Sequence, residues 1–72
     1  MEENWVKVYS SDRMIQAEII REKLEQNNIA AVIVNKQDSS YPVFGVTEVH
    51  VPVSDSLKAQ TIVENEESSE QS

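Results

Sequence analysis

Two strand-then-helix beats run through this chain, and neither beat carries a catalytic constellation. A short apolar strand leads into a capped helix that closes on an Asn pair, over Trp5 to Asn28. Val- and Ile-rich runs follow, and a second capped helix passes into an acidic tail. With 72 residues there is room for one small domain. A domain near 60 residues buries only about 60% of the surface its unfolded chain exposes, so its core is thin. There are no cysteines to staple it. That excludes disulfides, zinc ribbons and thiol chemistry, fits a reducing compartment, and leaves oligomerisation as the remaining common stabiliser.

Trp5-Val6-Lys7-Val8-Tyr9 is rich in β-branched and aromatic residues and predicts a strand. Strict alternation puts Val6 and Val8 on one face and Trp5, Lys7 and Tyr9 on the other. Ser10-Ser11-Asp12 predicts a turn and a helix N-cap, because a short oxygen-bearing side chain can accept a bond from a free first-turn amide. Ala17, Ile20 and Leu24, with Met14 on their flank, recur at helical spacing and predict a helix over about 12–27. Asn28 predicts a left-handed cap, with Ile29 folding back onto Leu24.

Ile29 to Val34 predicts a second strand, covered at least partly on both faces. The segment 36–45 predicts a polar loop, with Gly45 supplying a positive φ at its end. Val46 to Val53 alternates, with Thr47, Val49, Val51 and Val53 opposing Val46, Glu48, His50 and Pro52, which predicts a third strand. Pro52 has no amide donor and belongs at that strand's end. Ser54-Asp55-Ser56 predicts the cap of a second helix over about 55–65, with an apolar stripe of Ala59, Ile62 and Val63 and Leu57 near its start. From Glu64 onward the composition turns to Glu, Ser, Asn and Gln, so residues 1–65 are read as a single α+β domain and 66–72 as a disordered acidic tail.

The order β-α-β-β-α, with a right-handed crossover between parallel first and second strands, lets the third strand return between them. This is the ferredoxin-like split arrangement without its last strand. It predicts a three-stranded sheet with both helices on the face of Val6, Val8, Val49 and Val51. The other face then carries Trp5, Lys7, Tyr9, Glu48 and His50.

These residues resemble a known family. Trp5-Val6-Lys7-Val8-Tyr9, Ala17-Glu18-Ile19-Ile20, Leu24, Asn28-Ile29, Val51-Pro52-Val53 and Ala59 are similar to small bacterial domains of unknown biochemistry labelled putative prokaryotic signal-transducing proteins. The resemblance covers about Asn4 to Val63. It implies a fold similar to the nitrogen-regulatory PII proteins and supplies no functional residue to carry over. Family members commonly have Gly where this chain has Asn28, and Asn serves the same cap. The 36–45 loop is far shorter than the long signalling loop of PII proteins.

The formal net charge is −7, from 13 acidic and 6 basic residues. Without a basic cluster the chain is unsuited to nucleic acid or to anionic membrane surfaces. There is no apolar run near 20 residues to span a bilayer. The segment Met1-Glu2-Glu3-Asn4 lacks the basic start of a secretory signal, and the expectation is a cytoplasmic protein.

His50 is the only histidine and shares a strand face with Glu48. A metal or acid–base role needs further convergent groups, and only Asp38 of the loop offers one. The plainer reading is a solvated pair, so no catalytic, metal or cofactor residue is assigned. Trp5 and Tyr9 beside Lys7 form either an exposed binding patch or a plug at the edge of a thin core. Ile15 and Ile19 lie nearly opposite Ala17 and Leu24, and either widen the core stripe or contact a partner. Ser39, Ser40 and Tyr41 in the loop are candidate phosphate or partner contacts, though a bare polar connector is the plainer reading.

The expectation is a non-enzymatic regulatory or adaptor domain that binds an unknown protein partner or small metabolite. Its candidate interaction surface is Trp5, Lys7, Tyr9, Glu48 and His50. The alternatives are a structural oligomerisation module and, more remotely, a small enzyme using Glu48 and His50.

Overall fold

The computed structural model describes residues 4–37 and 45–71. In chain order it contains β1 (Trp5–Ser11), α1 (Met14–Gln26), β2 (Val32–Gln37), β3 (Gly45–Pro52), a 3₁₀ turn (Val53–Asp55) and α2 (Ser56–Gln71). The strands form one sheet in the order β1-β3-β2, with β3 antiparallel to both neighbours. This α+β architecture fits the ferredoxin-like arrangement. Against the expected loop over 36–45, Lys36 and Gln37 extend β2 and Gly45 opens β3, and residues 38–44 lie outside the described residues.

Both helices cover one face of the sheet. Val49 and Val51 of the central strand are fully buried beneath Ala17, Ile20 and Leu24 of α1 and Ala59 and Val63 of α2. The central strand supplies the core because it is flanked on both sides, so its inward side chains meet no solvent at an edge.

The end of α1 follows the sequence closely. Asn28 has φ 65. The Asn28 amide donates to the Glu25 carbonyl at 3.0 Å and the Ile29 amide to the Leu24 carbonyl at 3.0 Å. This pair of bonds is the Schellman closure, and it satisfies carbonyls the helix would otherwise leave open. Because Ile29 is spent on that closure, β2 begins at Val32 rather than at Ile29; Ile29 and Ala31 are buried in the connection.

Several boundaries differ from the sequence expectation. Ser10 and Ser11 pair with Glu48 and Thr47, so they belong to β1 rather than to a helix cap. Arg13 is the N-cap of α1 and makes no side-chain cap bond. Instead the Ser11 hydroxyl accepts from the Arg13 amide at 3.0 Å, a local turn of the kind Ser favours. Gly45 opens β3 opposite Gln37 and has no positive φ, because ladder pairing holds it extended.

The second helix also departs from expectation. Leu57 is 80% exposed and lies off the apolar stripe. Ser54 and Asp55 sit in the 3₁₀ turn that leads into α2. The helix continues to Gln71, past the expected end near Asn65. Glu66 reaches back to Lys23 of α1 at 3.5 Å, a contact between helices that composition could not show. No helix among the described residues is long and apolar enough to cross a membrane.

One irregularity in β1 matters most for the rest of the molecule. Lys7 pairs with His50 and Tyr9 pairs with Val49, so Val8 is an extra residue in the ladder, a β-bulge. The bulge resets the alternation. Tyr9 was expected beside Trp5 and Lys7, but its cross-strand partner is the buried Val49, and it packs with Val8 against the core on the helix side.

Candidate functional site

The face of the sheet away from the helices is built as three columns. The centre is β3, presenting Val46, Glu48, His50 and Pro52. On β1, Trp5 lies opposite Pro52, Lys7 opposite His50 and Ser10 opposite Glu48. On β2, Val32 lies opposite His50 and Val34 opposite Glu48. Directly paired residues share a face, so the register alone assembles this lattice.

The polar centre includes two close contacts to Glu48. His50 Nε2 lies 2.9 Å from Glu48 Oε1. Lys7 Nζ lies 3.9 Å from Glu48 Oε2, on the diagonal across β1 and β3. The Glu48 side chain is only 13% exposed and that of His50 21%, against 53% for Lys7. Glu48 is thus walled in by Ser10 and Val34 on its flanks and by His50 and Lys7. Around this centre Trp5 is 40%, Val32 43% and Val46 38% exposed.

Four of the five residues read from the sequence as an interaction surface therefore meet on one face: Trp5, Lys7, Glu48 and His50. Tyr9 does not join them, for the reason given by the bulge. Val32, Val34 and Val46 join instead. Their signal lay in the alternation of both strands, but assigning Val32 and Val34 required the β2–β3 register.

Ile15 and Ile19 do not widen the core stripe; they are 65% and 38% exposed on the outer side of α1. Asp38, Ser39, Ser40 and Tyr41 lie outside the described residues. Among the described residues no group of three or more His, Asp or Glu could hold a metal ion. The nearest hydroxyl in the lattice, Ser10, stands across from Glu48 rather than from His50, whose direct neighbours are Lys7 and Val32.

What the arrangement offers chemically is a patch with an apolar rim and an oriented acid–histidine–lysine centre. Such a patch can bury apolar side chains of a partner while exchanging charged hydrogen bonds at the middle. No curated protein and no solved structure matches the chain. A family model described as "Putative prokaryotic signal transducing protein" matches residues 5–67, which takes in every element from β1 into α2, and the chain belongs to that family.

Proposed function

We propose that this chain is a non-enzymatic regulatory or adaptor domain that binds a protein partner reversibly through the open sheet face. The observation that carries the reading is the exposure of Trp5, Val32 and Val46 around the Lys7–Glu48–His50 centre. The family description supports a signalling role in general terms. The non-enzymatic part rests on the described lattice, where no hydroxyl or thiol stands directly opposite His50.

Size favours a reversible contact over a permanent structural one. Three strands spaced about 4.8 Å apart, each about six residues long at about 3.3 Å per residue, span roughly 300 Å². Even doubled for side-chain relief, that falls short of the ~800 Å² per partner of a standard stable interface. A face of this size suits a contact that forms and releases.

The test is photo-cross-linking in cells from a photoreactive residue placed at Val46. The expected result is a discrete adduct with one other protein, abolished by Trp5→Ser. An adduct only with a second copy of the chain would assign the face to oligomerisation. If no adduct forms, and a small metabolite raises the melting temperature instead, the partner-binding reading is wrong.

A further inference from the structure

The β1 edge of the sheet is unpaired among the described residues, since the strand order is β1-β3-β2. The chain fold explains why. Strand β1, helix α1 and strand β2 form a crossover that skips one position, and β3 fills the gap. By the same geometry β3 and α2 begin a second crossover, whose final strand would skip β1 and lie along its free edge, parallel to β3. None of the described residues occupies that place.

Beside this edge runs a groove of about 470 Å³, lined by residues 7–10 of β1 and by Gln60, Val63, Glu64 and Glu67 of α2. The helical residues recur at spacings of three and four, so one face of α2 forms the whole wall. Val8, Tyr9 and Val63 give the groove its apolar lining and belong to or pack against the core. Glu64 and Glu67 are exposed and, among the described residues, make no ion pair.

We infer that the β1 edge, together with this groove, binds an extended basic segment of another protein as a fourth strand, antiparallel to β1. An unpaired strand offers backbone donors and acceptors along its length, and only an extended backbone matches them. Alternate side chains of the added strand fall on the helix side, where Val63 and the bulged Val8 and Tyr9 receive apolar groups and Glu64 and Glu67 receive cations. The net charge of −7 draws such a segment in. A second copy of the chain is a poor occupant. Its own β1 edge would set a second acidic wall against the first, and the bulge twists the edge away from flat self-pairing. This site shares Lys7 and Ser10 of β1 with the open sheet face, and Gln60, Val63, Glu64 and Glu67 of α2 tell the two apart.

The experiment is a titration of the isotope-labelled full chain with the octapeptide Val-Thr-Lys-Thr-Val-Thr-Lys-Thr, which sets both Val and Lys on one face of a strand, followed by amide chemical shifts at physiological salt. The expected shifts map to residues 7–10 and 60–67, with slowed hydrogen exchange in β1. The Glu64→Lys, Glu67→Lys double variant, altered only at exposed positions, should weaken binding at least about tenfold. A fully N-methylated peptide of the same sequence should bind at least about tenfold more weakly, because it cannot donate to the edge. Equal binding of the methylated peptide would reduce the effect to bulk charge and overturn the proposal. So would shifts confined to the Lys7–Glu48–His50 face, or no binding at millimolar peptide.

Discussion

Ile29 donates its amide to the carbonyl of Leu24 at 3.0 Å, and the two side chains lie buried in the same core. The bond and the apolar contact act together: one closes the last turn of α1, the other fixes the direction in which the chain leaves it. Between them stands Asn28 at φ 65. A left-handed residue with a Cβ costs roughly 1–2 kcal/mol, and less for Asn than for most. Asn28→Gly should therefore be neutral or stabilise by up to about 1 kcal/mol, while Asn28→Ala should destabilise by about 1 kcal/mol. Urea unfolding midpoints measure both, and the reverse order would disprove the cap.

Leu24 is fully buried and Leu57 is 80% exposed, though both lie on helices read as amphipathic. Leu24→Ala should cost about 2–5 kcal/mol, enough to unfold a domain this small. Leu57→Ala should stay within about 0.5 kcal/mol of the parent. Thermal melts of the pair settle the packing of both helices: similar melting temperatures would be incompatible with it.

Val8 is the extra residue of the bulge, so its removal leaves every other pair of β1 in register. Deleting Val8 should keep Lys7 opposite His50 and Tyr9 opposite Val49. The loss should be about 1–2 kcal/mol, the share of a half-buried Val. Cross-strand nuclear Overhauser contacts between Tyr9 and Val49 report the register. A deletion variant that loses those contacts would show that the bulge is misplaced.

Lys23 and Glu66 join the two helices at 3.5 Å, with 44% and 21% of their side chains exposed. Partial exposure weakens such a pair, and a double-mutant cycle with Ala at both positions should give a coupling of about 0.2–1 kcal/mol. At molar salt the coupling should largely vanish. A coupling that survives molar salt would mean the two side chains act through packing instead.

Much of this protein was determined locally. The spacing of Ala17, Ile20 and Leu24 specifies a helix face because a helix repeats every 3.6 residues whatever surrounds it. Asn28 before Ile29 specifies the closure because few residues tolerate positive φ. Val49 and Val51 alternating with Glu48 and His50 specify which side of β3 is inward. From these, the order of elements and the three-stranded sheet follow.

The tertiary structure decided what depends on pairing between distant segments. Alternation within Trp5 to Tyr9 puts Tyr9 beside Lys7, but β3 meets this stretch with one residue fewer, so Val8 is left over and Tyr9 turns to the helix side. The same kind of pairing added Val32 and Val34 to the open face and drew Ser10 and Ser11 into β1. The carbon chain of Glu66 reads as part of a solvated tail until α1 brings Lys23 within reach. A helix or a cap is written in neighbours along the chain. A sheet face is written in the register between strands, and a one-residue offset there moves a side chain from one surface of the protein to the other.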